Sequence, residues 1–99
     1  MQELKKGSIS ELQRYIANKI KERGFDDEGL EDRLLLLVEE MGELVKATRK
    51  DRGMYLEEDK DNKHELGEEI TDVINLLFAV GIELGLDIEK EFLLKEAKN

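Results

Sequence analysis

Apolar residues recur at helical spacing in four stretches of the chain. Ile9, Leu12, Ile16 and Ile20 stand three or four apart, the repeat that lines one face of an α-helix. Ser8 and Glu11 have the spacing of a capping box at its start, and Gly24 is placed to end it. The stretch FDDEGLED then reads as a turn rich in N-cap side chains. A second helix is expected from Leu30 to Arg52, stopping at Gly53, and MYLEEDKDNK reads as a loop. Asn62 and Glu65 can cap a third helix that continues to Leu84, before Gly85. Asp87 can start a short fourth helix carrying Ile88, Phe92 and Leu93. No repeat, low-complexity linker or domain boundary interrupts this pattern. The expectation is an all-α protein, a single domain over residues 1–99, folded as an antiparallel bundle of about four helices.

The second helix carries more apolar surface than one neighbour can cover. Its main stripe is Leu34, Leu37, Val38, Met41, Leu44 and Val45, while Leu36 points to the other side, above Glu40 and Glu43. Leu34 to Leu37 therefore encircle the axis, the mark of a helix buried on more than one side. In a small chain the simplest cover is a second subunit, so a homo-oligomer, dimer or tetramer, is expected. On the third helix the expected core stripe is Leu66, Ile70, Val73, Ile74, Leu77, Gly81 and Leu84.

Composition narrows the partners. The chain has 99 residues, 39% of them hydrophobic and 41% charged, with no Pro and no Cys. Disulfides and thiolate metal sites are thereby excluded. Sixteen Lys and Arg against 25 Asp and Glu leave a net charge of −9, which disfavours duplex nucleic acid as a partner. No unbroken apolar run is longer than that from Leu34 to Val38, far short of the roughly 20 residues of a membrane span. A cytoplasmic protein without membrane attachment is expected.

Two stretches concentrate acid, EEMGEL at 39–44 and ELGEEITDV at 65–73. Glu40 and Glu43 are three apart, as are Glu69 and Asp72, and like charges at that spacing destabilise an isolated helix by roughly 0.2–0.5 kcal/mol per pair. If the second and third helices are antiparallel neighbours, the two pairs differ in height by only about 4.5 Å. Two readings fit at this point: solvated helix faces, or carboxylates arranged around a cation. Spacing alone does not decide, because five acidic pairs at i and i+3 occur where chance predicts roughly six. An oxygen-only site of this kind suits Mg²⁺ or Mn²⁺ rather than Zn²⁺. The sole histidine, His64, belongs to the first turn of the third helix and is expected to be exposed, which disfavours a di-iron centre.

Glu40-Met-Gly-Glu43-Leu, followed by Glu69-Ile-Thr-Asp72-Val, resembles the MazG-like all-α nucleoside triphosphate pyrophosphohydrolases. The relatives of that family include dimeric dUTPases, dCTP pyrophosphatases and phosphoribosyl-ATP pyrophosphohydrolase. The resemblance implies that Glu40, Glu43, Glu69 and Asp72 coordinate Mg²⁺, with Mn²⁺ as a substitute. It also implies cleavage of a nucleoside triphosphate between its α and β phosphates, giving a monophosphate and pyrophosphate. Glu39 becomes a candidate general base; an exposed helix residue is the plain alternative. Lys46 and Lys50, on the side of Glu43, are candidates for holding phosphate oxygens, or for ion pairs with Glu43 and Glu39. Asn75, three residues after Asp72, is a candidate substrate donor, and Phe25 and Tyr55 could stack on a base or simply anchor the chain. The expected activity is removal of unwanted (d)NTP. The alternatives are phosphoribosyl-ATP hydrolysis, which the E-x-G-E-L context disfavours, and a non-catalytic helical oligomerisation module.

Overall fold

The computed structural model describes residues 4–51 and 62–99. Among them lie α1 (Ser8–Glu22), α2 (Leu30–Asp51), α3 (Asn62–Glu83) and α4 (Ile88–Lys98), with no strand. The fold is all-α, as expected. Gly53, Tyr55 and most of MYLEEDKDNK lie outside the described residues.

Local chemistry explains several boundaries. At the end of α1, Gly24 adopts φ +76°, the Gly24 N–H donates to Lys21 O and the Phe25 N–H donates to Ile20 O. The same pair of bonds recurs at the end of α3, around Gly85 at φ +71°, with Leu86 donating to Gly81 O. Both are Schellman endings, in which a left-handed residue lets the chain satisfy the last carbonyls. Asp87 then caps α4, its carboxylate accepting from the Lys90 N–H at 3.1 Å.

The start of α1 departs from the expectation. Its N-cap is Gly7, with φ +90°, and no cap bond comes from a local side chain, so the Ser8–Glu11 capping box does not form. The Glu89 carboxylate of α4 takes that role from the far end of the chain. It accepts from the N–H groups of Gly7, Ile9 and Ser10 at 3.0, 3.0 and 3.2 Å. Gln13 adds two bonds to the same junction, donating to Leu86 O at 2.9 Å and accepting from the Ile88 N–H at 3.1 Å. Gly81 leaves room beside it for Ile88, since a Cβ built at Gly81 would stand 2.5 Å from Ile88 Cδ1.

Helices α2 and α3 form the main packed pair, with α1 laid against α3 and α4 against α1. Two cross-links show that the pair is antiparallel. Arg33, early in α2, reaches Ala79 and Glu83 late in α3, and Lys50, late in α2, reaches Glu65 early in α3. The side of α2 turned inward is Arg33, Leu37, Glu40, Leu44 and Ala47, at spacings of four and three. This corrects the expected stripe: Leu37 and Leu44 face in, but Leu34, Val38, Met41 and Val45 are exposed, Val38 at 68%. On α3 likewise, Val73 and Leu76 are half-buried and Ala79 is buried, while Ile70, Ile74, Leu77 and Leu84 are exposed. Only Ile16, Leu37, Ala47 and Ala79 form a fully buried apolar core among the described residues.

Candidate active site

The inward rotation of α2 draws Glu40 into the seam against α3. There it meets Glu69 and Asp72, and one carboxylate oxygen from each of the three lies within 4.8 Å of the others. Glu40 and Glu69 are half-buried and Asp72 is exposed. Glu69 Oε2 is buried and makes no hydrogen bond. Burial pushes the Glu69 carboxyl above its ordinary value, and so do the adjacent Glu40 carboxyl and the charges of Asp72 and Glu43.

An acidic cluster on its own is a common surface feature. A buried, orphaned carboxylate oxygen is not, because desolvating such a group without a partner costs free energy. The donor set is all oxygen, with no sulfur or nitrogen, so it fits a hard divalent cation such as Mg²⁺ or Mn²⁺.

The other residues singled out from sequence take varied places. Glu43 is exposed and outside the set of three, although its charge acts on Glu69. Glu39 is exposed on the neighbouring position of α2, and Lys46 is exposed one turn beyond Glu43. Lys50 is half-buried and reaches across to Glu65 at 3.9 Å, one turn before Glu69 on α3. Asn75 lines a cavity of about 840 Å³ between α1 and the α2–α3 pair. Phe25 also lines that cavity, whereas Tyr55 lies outside the described residues. His64 is exposed, its Nε2 lying 2.8 Å from Glu68 on the same helix.

Cluster and cavity adjoin. Leu36, one turn before Glu40, and Asn75, one turn after Asp72, both line the cavity. Thr71 lines it as well, and also a shallower recess that contains Asp72.

Sequence reasoning missed Arg33. This residue is 5% exposed, donates from Nη1 to Ala79 O at 2.8 Å and pairs with Glu83 at 3.4 Å. The available signal was its register, seven residues before Glu40, which puts both on one helix face. An apolar-stripe criterion passes over such a residue.

This arrangement of an all-α pair, a carboxylate cluster and an adjoining cavity suits a hydrolase working on a polyanion through a bridging cation. The family model of PRA-PH, phosphoribosyl-ATP pyrophosphohydrolase, matches residues 9–96, and the chain belongs to that family. It is a family of pyrophosphohydrolases, enzymes that act on acid anhydrides. A search of curated proteins finds no match. No helix among the described residues is long and apolar enough to cross a membrane.

Proposed function

We propose that the chain is a Mg²⁺-dependent pyrophosphohydrolase that cleaves phosphoribosyl-ATP between the α and β phosphates, releasing pyrophosphate. The observation that carries the metal-dependent reaction is the convergence of Glu40, Glu69 and Asp72 around a buried Glu69 oxygen without a hydrogen-bond partner. Of the two substrates raised by the motifs, the family match over residues 9–96 favours phosphoribosyl-ATP over an ordinary (d)NTP of the MazG-like type.

Glu40, Glu69 and Asp72 would hold the cation, with exposed Glu43 at the rim able to join them. When bound, Mg²⁺ neutralises the phosphates against an acidic wall, orients them and lowers the pKa of the attacking water. Glu39 and Glu43 are the exposed carboxylates beside the cluster that can accept the proton of that water. Lys46 is free of the seam and can meet phosphate oxygens, while Lys50 is drawn towards Glu65 and supports the seam beside the cluster. Asn75 offers an amide to the substrate from the cavity wall.

The assembly is a homo-oligomer, dimer or tetramer, built on the exposed apolar side of α2. Leu35, Val38, Met41 and Val45 are half or more exposed in the single chain, an unusual density of large apolar side chains on one helix. Light scattering is expected to give at least twice the mass of one chain, and Val38→Glu is expected to lower it. A monomer at all concentrations would overturn the assembly.

The reaction is tested by pyrophosphate release from phosphoribosyl-ATP and a panel of (d)NTPs, with Mg²⁺ and with excess EDTA. Release that needs Mg²⁺ and is lost in Asp72→Asn is the expected result. Release in EDTA, or a fully active variant, would overturn the site. No release from any substrate, with no Mg²⁺-dependent rise in Tm, would instead favour a non-catalytic helical module.

A further inference from the structure

The cavity beside the carboxylate cluster changes character along its length. Near the cluster its walls are Leu36, Thr71 and Asn75. Elsewhere it is lined by Lys19 of α1, by Arg23 that caps its end and by Arg33 of α2, against a single acid, Glu28. In a chain of net charge −9, a wall with three cations and one carboxylate runs against the composition. Arg33 lies seven residues from Glu40, so the cationic end is about 10 Å from the cluster along α2.

Arg33 is the fixed element of this end. Its side chain is 6% exposed, and Nη1 makes both of its contacts, with Ala79 O and Glu83. A guanidinium has five N–H donors in a rigid fork, so contacts at Nη1 alone leave donors over for a ligand in the cavity that Arg33 lines. Lys19 stands 5.4 Å above the centre of the Tyr15 ring and pairs with Glu22 at 2.9 Å. That pair is solvent-exposed, with Glu22 at 62%, and exposed pairs hold weakly enough for a phosphate to compete for the ammonium. Tyr15 and Phe25 add aromatic walls to the cavity. The volume, about 840 Å³, falls within the range of small-molecule sites, which combine mostly apolar walls with a few converging polar groups.

We propose that this end of the cavity is a second anion subsite, formed by Lys19, Arg23 and Arg33, for a sugar phosphate at the opposite end of the substrate from its triphosphate. The proposal rests on the pyrophosphohydrolase reading and deepens it. An ordinary nucleoside triphosphate carries its anionic groups at one end only. It would leave three cations facing its base. Phosphoribosyl-ATP, as its name states, carries a phosphorylated ribose as well as the triphosphate. The subsite therefore selects for a nucleotide with anions at both ends, and charge-assisted bonds to phosphate are the strong class of hydrogen bond.

Two measurements test it. The first is metal-free: ribose 5-phosphate and ribose are titrated calorimetrically in excess EDTA into wild type and a Lys19→Gln, Arg23→Gln double variant. Both substitutions are on the surface helix or its cap, which avoids unfolding the buried Arg33 network; circular dichroism checks the helix content. Saturable, salt-sensitive binding of ribose 5-phosphate but not ribose is expected, weakened at least about tenfold in the variant. No binding by wild type, or equal binding by the variant, overturns the subsite. The second compares kcat/KM for phosphoribosyl-ATP and ATP in Mg²⁺. The ratio of the two is expected to fall at least about tenfold in the variant, and an unchanged ratio overturns the subsite. If wild type cleaves neither nucleotide, the pyrophosphohydrolase reading falls, and the titration alone decides whether the cationic end binds phosphate.

Discussion

Glu69 and Glu89 are chemically identical carboxylates placed in opposite circumstances. Glu89 lies at the α1–α4 junction and accepts three backbone N–H bonds, from Gly7, Ile9 and Ser10. Those bonds hold its carboxyl below the ordinary value of 4.5. Glu69 lies in the α2–α3 seam among Glu40, Asp72 and Glu43, and burial and those charges push it above 4.5. One carboxylate completes a helix end; the other is set against its own kind. A buried carboxylate oxygen without a hydrogen-bond partner beside a cavity, in a fold where Glu89 and Asp87 are satisfied by backbone donors, is what makes Glu69 a candidate for binding rather than for stability.

The sharpest way to break this contrast is to neutralise each residue. Glu69→Gln is expected to lower pyrophosphate release by about 100-fold or more, through loss of a cation ligand. The same change is expected to raise the Tm of the metal-free protein by about 2–4 °C, by removing like-charge repulsion. A variant that loses both activity and stability would show that Glu69 is structural. Glu89→Ala is expected to do the reverse. Its Tm should fall by about 5 °C, because the N–H groups at the start of α1 lose their acceptor, while kcat/KM for the folded enzyme changes little.

The two residues should also respond oppositely to pH in EDTA. For Glu89, with its folded pKa depressed, the stabilising contribution is full above 4.5 and is lost as pH falls through the folded pKa. For Glu69, with its folded pKa raised, the contribution is full below 4.5 and is lost as pH rises through the folded pKa. Urea denaturation across the acid range should therefore show the gap between wild type and Glu89→Ala closing on acidification. The gap between wild type and Glu69→Gln should open on the alkaline side. Parallel curves would remove the contrast.

The smallest expected effect belongs to Gly81→Ala, at the junction but without charge. The new Cβ would press on Ile88 Cδ1, the tip of a side chain that can turn away. The gain in helix propensity, up to about 1 kcal/mol, offsets the displacement, so stability should change by no more than about 0.5 kcal/mol. A large loss would show that Ile88 is fixed as firmly as Glu89.

What was legible in the sequence follows local chemistry. Gly24, Gly85 and Asp87 mark helix ends through their own backbone and side-chain preferences, and each boundary lies where the residues put it. The antiparallel register that brings Glu40 level with Glu69 and Asp72 was also readable, because it depends only on helical rise and the length of the connection. The cap of α1 was not, since Glu89 is distant in sequence and local pattern favoured Ser8 and Glu11. Nor was the rotation of α2. Hydrophobicity ranks Val38 and Met41 as inward and Arg33 and Glu40 as outward, and the fold does the opposite. An apolar stripe tells that a surface seeks cover, not which surface covers it. The meeting of Glu40 with Glu69 and Asp72 was legible as a register and hidden as an environment, for nothing along the chain distinguishes the orphaned oxygen of Glu69 from a solvated one.

The bond between Glu89 and Ile9 spans 80 positions, and this has a consequence for how the chain is made. The α2–α3 pair meets through a short connection and can zip together as soon as both helices exist. The start of α1 waits much longer, because its acceptor is synthesised 80 positions after Ile9 and must then close a loop of that length. On the ribosome α1 emerges with its leading amides exposed to water, and only α4 can fasten it.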